Sequence, residues 1–266
     1  MDVFDIKALR KCLNTYLIGR ELRYWPEVDS TNATALRLAA EGAVEGTVVL
    51  AEAQNKGRGR AGKLWYSPPG LNLYLSVILR PAVEVQRAAL MTLISSLAIA
   101  DAIDAERGQA QVKWPNDVLL AGRKVAGVLT ELQTMGEQIG ALVLGIGVNI
   151  NIDQDMLDRA LGETPWRATS LKAVLGREVD RVGFATILLE SLERRYDRFL
   201  ASEGKAIVQE WKARSCLGQR ARIIERGRSI EGVAADIDEQ GCLLVRLDDG
   251  SSVRVFEGEI LPPIHG

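Results

Sequence analysis

The chain has almost no histidine. Among 266 residues the one histidine is His265, beside the C-terminus. Ser-His-Asp hydrolysis, Cys-His catalysis and histidine-based zinc sites are poor expectations for such a chain. Its chemistry must run on Lys, Arg, carboxylates or the substrate's own groups. Cysteine is scarce too. Cys12, Cys216 and Cys242 are odd in number, scattered, and in no metal-ligand spacing, so they read as thiols in a reducing cytoplasm, with no protein metal site expected. Asp2 and Asp5 stand where a secretory signal would be basic, and no membrane span of the required ~20 apolar residues is expected. Charge of one sign is lacking as well: the net charge is −2, with 26% charged and 47% hydrophobic residues. Any specificity for a polyanion must therefore be local. The length suits one large domain, or a large domain with a small companion.

What is present reads as alternating strands and helices. Residues 7–19 suit a short helix, and DSTNATALRLAAEG offers cap-type residues at Asp29, Ser30 and Thr31 before a helix stopped by Gly42. GTVVLAEAQ (46–54), NLYLSVILR (72–80) and ALVLGIGVNIN (141–151) read as strands, and 87–105 as a buried helix. AQVKWPND ends a strand at a turn, and VLLAGRKVAGVLTEL forms a hairpin turning at Ala121-Gly122. Phe184, Ile187, Leu188, Leu192, Tyr196 and Phe199 share one helical face. Past Leu217-Gly218 the texture changes to short β-like runs (RARII, GVAADI, LLVRL, SVRVF) with polar turns between them, which predicts a small β-barrel after an α/β main domain.

NKGRGRAGKLWYSP (55–68) matches two phosphate-binding patterns, G-x-G-x-x-G and G-x-x-x-x-G-K. Both need a helix directly after the loop. Here Pro68, Pro69 and Gly70 follow, then a strand, and Leu64 stands where a P-loop needs Ser or Thr. Both readings fail. What remains is a cationic loop: Arg58, Arg60 and Lys63 among Gly57, Gly59 and Gly62. Arginine forks grip phosphate or carboxylate oxygens and glycines let the backbone approach, although basic loops are as often solvated hairpins. Trp65 is either a core anchor or a flat face for a base. A second cluster, KWPNDVLLAGRKVAG (113–127), sets Lys113 between Val112 and Trp114, an apolar setting in which a lysine wants an anionic partner. A third, GIGVNIN (145–151), suggests close backbone approach within a strand.

Together these segments carry a resemblance. DSTN (29–32), AEAQNKGRGRAGKLWYSPPGLNLYLS (51–76), VKWPNDVLLAGRKVAGVLTE (112–131) and GIGVNIN occur in the order and approximate spacing of the biotin protein ligase family. The chain resembles that family over residues 22–266. The resemblance implies an α/β (α+β) fold: a mixed-sheet catalytic domain of the biotin/lipoate ligase and class II aminoacyl-tRNA synthetase-like type over 1–215, and an SH3-like β-barrel over 216–266. It implies ATP-dependent formation of biotinyl-AMP with Mg²⁺, then transfer of biotin to a lysine of a biotin carboxyl carrier domain, as in acetyl-CoA carboxylase. By the same resemblance Ser30, Thr31 and Gln54 would bond biotin's ureido ring, with Asn32 beside them. Gly57, Arg58, Gly59, Arg60, Lys124 and Gly127 would complete the biotin site. Trp65 would pack on adenine and Asn116 would read its edge, with Arg58, Arg60, Lys113 and Asn149 on the adenylate. Lys113, Lys124, Arg58 and Asp117 are the expected catalytic set, Asp117 orienting the acceptor lysine.

Two departures stand out. Ala61 and Leu64 occupy positions where some members carry further basic residues, and about 28 residues precede Asp29, too few for the N-terminal winged helix-turn-helix of bifunctional members. A monofunctional, cytoplasmic enzyme that binds neither DNA nor membrane is the expectation, with pairing into a homodimer open. Lipoate–protein ligation, biotinyl-AMP-dependent DNA binding and a catalytically dead binder are the competing readings. The paired GRGR and KWPND motifs argue against the first, the near-neutral charge against the second, and the intact Arg58, Arg60, Lys113 and Lys124 against the third.

Overall fold

A computed structural model of the chain describes residues 3–135, 138–162, 167–225 and 227–261; His265 lies outside them. Seven strands form the main sheet: β1 (Leu22–Val28), β2 (Val48–Gln54), β3 (Leu73–Leu79), β4 (Ala110–Lys113), β5 (Asp117–Leu120), β6 (Arg123–Met135) and β7 (Gln138–Val148). Their order is β1-β2-β3-β7-β6-β5-β4. β1 runs parallel to β2, while the other neighbours are antiparallel, so the sheet is mixed. β2 and β3 are covered on both faces, which is why they read as VVLAEAQ and LYLSVIL rather than as an alternation.

Helices make the two covering layers. α1 (Ile6–Cys12), α3 (Ala89–Ala105), α6 (Arg181–Leu200) and α7 (Gly204–Arg214) stack on one face around the main core. On the other face α2 (Thr31–Ala40) sets Ala35 and Ala39 against Val49, Ile78, Ala141 and Val143. Ser30 caps α2 and Gly42, at φ 91°, follows its end. α4 (Gln154–Leu161) and α5 (Leu171–Leu175) follow β7. The segment Val85–Ala105 is long and apolar enough to cross a membrane by length and composition, yet 72% of its most apolar stretch is buried inside the protein. Sandwiched between sheet and helices, α3 has little polar face to keep.

A second sheet comprises β8 (Arg220–Glu225), β9 (Arg228–Ile237), β10 (Leu243–Arg246), β11 (Ser252–Val255) and β12 (Glu259–Leu261), in the antiparallel order β11-β10-β9-β8-β12. This arrangement is consistent with an SH3-like domain. Trp114 Nε1 donates to the Gly241 carbonyl at 3.0 Å and Lys212 pairs with Asp236 at 2.8 Å, tying the small sheet to the large unit. The helix expected over 7–19 ends at Cys12, because Leu13 turns to extended backbone. β1 and β12 were not expected.

Candidate active site

The register of the main sheet assembles the site. Directly paired residues share a face, and one row of pairs runs Lys113↔Asp117, Asp117↔Gly127, Gly127↔Gly147 and Gly147↔Tyr74. The neighbouring row runs Leu129↔Gly145 and Gly145↔Ser76. Both rows lie on the α2 face, beyond the end of that helix where Ser30 and Thr31 sit. Lys124 joins them through a β-bulge. Three residues before Gly127, it would face the opposite side of a regular strand. The β5–β6 register shifts between Val118 and Leu119, however, and Lys124 Nζ comes to 2.6 Å from Asp117 Oδ1. Re-aiming a side chain is a known consequence of such a bulge.

The glycine-rich segment folds over this floor as a small hairpin, not as a strand-to-helix turn. Arg58 and Leu64 bridge, Gly59 N donates to Lys63 O at 2.7 Å, and Trp65 N donates to Gly57 O at 2.9 Å. Arg60–Gly62 makes a 3₁₀ turn, with Ala61 at φ 53° and Gly62 at φ 74°. A strand follows at Leu73, so neither phosphate-loop pattern has its helix. Between hairpin, sheet and second sheet lies a cavity of about 1150 Å³ whose walls include Ser30, Gln54, Arg60, Lys124, Gly147 and, from the C-terminal unit, Glu257 and Ile260. Lys63 reaches across to Glu259 at 2.5 Å. A cavity of that size exceeds the usual single-ligand pocket and has room for two small reactants.

Charge is tightly managed around it. Asp117 takes Lys113 Nζ on Oδ2 at 3.0 Å and Lys124 Nζ on Oδ1 at 2.6 Å. Burial alone would raise the Asp117 carboxyl, but Lys124 and Lys113 outweigh it and hold the group below the usual carboxylate range. Burial lowers the Lys113 ammonium, Asp117 opposes this, and Lys124 adds to the lowering. Arg58 Nη2 is 2.8 Å from Glu131 Oε2, so this guanidinium is engaged at the opposite side from Lys113. Burial also lowers Arg60, against the favourable fields of Asp117, Glu257 and Glu259, and among the described residues Arg60 makes no ion pair.

Three glycines make the floor. A Cβ on Gly147 would stand 2.6 Å from the Trp65 ring and one on Gly127 3.3 Å from it, so Trp65 lies flat on a shelf only glycine allows. Lys124 Nζ lies 5.5 Å from its ring centroid, and the buried Trp65 Nε1 has no acceptor among the described residues. A Cβ on Gly145 would fall 2.0 Å from Asn32 Oδ1. Asn32 is already committed: Nδ2 donates to Leu129 O and Glu131 Oε2, and Oδ1 accepts from Ser76. Gly145→Ala must expel that carboxamide from its partners. A loss of about 1–3 kcal/mol is expected from the unpaired buried groups, measurable by urea unfolding, and a variant as stable as the parent would contradict the packing.

The other expected residues sit as follows. Ser30 Oγ accepts Ala33 N at 3.5 Å, and Gln54 Oε1 accepts Thr31 N at 2.9 Å while its Nε2 donates to Ser67. Asn116 Nδ2 donates to Val128 O at 2.7 Å at the cavity edge, and Asn149 Nδ2 to Thr169 O at 3.0 Å. Gly57 is buried under Trp65 O and Ser67 Oγ. Glu131, Ser67, Ser76 and Glu259 were not assigned from sequence. No spacing or cap signal distinguishes them, since each works through tertiary pairing.

Comparison with known proteins gives the family. The sequence profile of the Biotin/lipoate A/B protein ligase family matches residues 24–149, and that of the Biotin protein ligase C terminal domain matches 216–261. The chain is 38% identical to the biotin–acetyl-CoA-carboxylase ligase of Paracoccus denitrificans, over 85% of this chain and 94% of that protein. It is 34% identical to the Mycobacterium tuberculosis protein of the same name, over 94% of each. The biotin protein ligase of Aquifex aeolicus, solved in complex with biotin and ATP, superposes with a TM-score of 0.75 at 28% identity, covering 91% of this chain and 97% of that one. Matched by both family profiles and sharing more than a third of its residues with two such ligases over most of their length, the chain belongs to the biotin protein ligase family.

Proposed function

We propose that this chain activates biotin with ATP and transfers it to a lysine of a biotin carboxyl carrier domain, with residues 1–215 as the catalytic unit and 216–266 as a small unit closing the cavity. The observation that carries this reading is the distribution of cations. Lys113 and Lys124 share one carboxylate, while Arg60 stands half-buried at the cavity with no ion pair among the described residues. That arrangement suits a reaction in which one anion must be brought onto another. The Aquifex relative's complex with biotin and ATP supports both as the reactants.

In the first step a biotin carboxylate oxygen attacks the α-phosphorus, the bond to the β-phosphate oxygen breaks, and pyrophosphate leaves. The nucleophile is already an anion, so no general base is needed. Lys124 and Arg60 offset the charge on the reacting oxygens, with Lys113 behind them. Magnesium would come in on the ATP phosphates, as part of that substrate. Ser30, Thr31 and Gln54 hold the ureido ring: the cap uses only an Oγ lone pair and leaves the Ser30 hydroxyl hydrogen for the ring carbonyl. Trp65 offers its face to adenine, with Asn116 at the edge. In the second step the carrier's amine attacks the biotinyl carbonyl and AMP leaves. Asp117 stays ionised, and once Lys124 turns to the phosphate its Oδ1 can orient the incoming ammonium, which gives up a proton to water to become the attacking amine.

Incubation with biotin, Mg-ATP and an apo-carrier domain tests the proposal, with mass spectrometry of the carrier as readout. Biotinylation is expected. No mass gain would remove the ligase reading, and lipoate transfer instead would assign a different acid. Arg60→Ala is expected to keep the parent's melting temperature, because no carboxylate loses a partner. It weakens retention of biotinyl-AMP by roughly 10- to 100-fold, the size of a lost charge-assisted hydrogen bond. Calorimetry giving unchanged affinity would count against the loop's role.

A further inference from the structure

Glu131 is a negative charge inside a cavity built for anions. It lies on the α2 face of β6, opposite Val143 and two residues beyond Leu129. Neither biotin's carboxylate nor ATP gains from it, so its place calls for a cause. The cause is on both sides of it. One oxygen, Oε2, accepts from Arg58 Nη2 at 2.8 Å and from Asn32 Nδ2 at 2.8 Å. Asn32 Oδ1 lies 2.6 Å from Ser76 Oγ, which is 2.8 Å from Thr31 Oγ1. Thr31 N then donates to Gln54 Oε1 at 2.9 Å, and Gln54 Nε2 donates to Ser67 Oγ at 2.9 Å. The chain of bonds begins in the glycine-rich hairpin at Arg58 and ends in the same segment at Ser67. It passes through β6, α2, β3 and β2, and Glu131 is its one anion.

We propose that Glu131 is a positioning residue: it clasps Arg58 to the sheet and so sets the hairpin over the ureido-binding end of the cavity. The proposal rests on the biotin reading for its substrate, though not for the clasp itself. Arg58 is thereby a structural cation. The phosphate chemistry falls to Arg60, Lys113 and Lys124, and Glu131's charge is neutralised before any anion arrives. The pair is partly exposed, at 42% and 26% of the side chains, so its contribution is modest and is felt as loop closure rather than as global stability.

Glu131→Gln separates the clasp from a merely structural role, because the amide oxygen can still accept from Asn32 while the charge facing Arg58 is gone. In the ligand-free protein, trypsin is expected to cut after Arg60 and Lys63 about three- to five-fold faster in Glu131→Gln than in the parent, the span of a partly exposed charged pair. In an Arg58→Ala background the same change is expected to add nothing. The KM for biotin rises by about the same factor, while kcat for pyrophosphate release falls less than about two-fold. An unaltered cutting rate, or equal acceleration with and without Arg58, overturns the proposal. Proteolysis is read without ligand, so a protein that failed to bind biotin would sink the ligase reading and leave the clasp to stand or fall on its own result.

Discussion

Lys124→Ala is expected to slow pyrophosphate release by about 10²–10³-fold at saturating biotin and Mg-ATP, the usual consequence of removing one preorganised cation from developing charge. The argument is geometric. Lys124 is the half-buried member of the Lys-Asp-Lys row, its Nζ 2.6 Å from Asp117 and 5.5 Å from the Trp65 ring centroid. It lies over the Trp65 ring and lines the cavity. Lys113, 2% exposed, lies behind Asp117 and cannot take its place. If Ser30, Gln54 and Arg60 hold the substrates as proposed, the loss should fall on kcat more than on KM. Lys124→Arg should recover only part of the rate, since a planar guanidinium fork does not reproduce the compact ammonium held 2.6 Å from Asp117 Oδ1. Pyrophosphate release within a few-fold of the parent in Lys124→Ala would remove this lysine from the first step.

The position of Lys124 also marks where sequence reasoning reaches its limit. The hairpin around Ala121-Gly122 was legible because two residues with φ near 50° and 71° make its turn and apolar strands flank it. A strict period of two would nevertheless point Lys124 away from Gly127. Only the bulge, a tertiary feature without a residue signature in RKVAG, brings it to Asp117. Lys113 was legible as a lysine in an apolar setting that wants an anion, and Asp117 supplies it. β1 was missed because LRYWPEV carries Pro26, which argues against a strand unless the strand is an edge; β1 is one. The glycines at 145 and 147 announced close approach, while the identity of what approaches them, Asn32 and Trp65, depended on α2 and the hairpin folding onto one face of the sheet. Glu131 and Glu259 stayed silent because each pairs with the hairpin from far along the chain, Glu131 with Arg58 and Glu259 with Lys63.

Asp117→Asn should cost about 3–5 kcal/mol at neutral pH, which is what stripping a carboxylate from a buried ion pair commonly does. Lys113 Nζ, lying 3.0 Å from Oδ2, would keep its charge in an apolar setting with a neutral amide in front of it. The dependence on pH distinguishes this cause from a packing defect. The Asp117 carboxyl is held below its ordinary value in the folded protein. Its contribution is therefore fully present above the unfolded pKa of about 3.9, and is lost as pH falls through the lower folded value. The gap between parent and variant should stay wide from neutral down to roughly pH 4 and narrow below it. At alkaline pH the gap should narrow again. Burial already lowers the Lys113 ammonium, and losing the carboxylate that opposes this lowers it further, so the variant gains stability as pH rises. Urea unfolding of both proteins across pH would trace the curve. A gap that is the same at every pH would mean that Asp117 acts through its shape, and the charge argument for the whole row would fail with it.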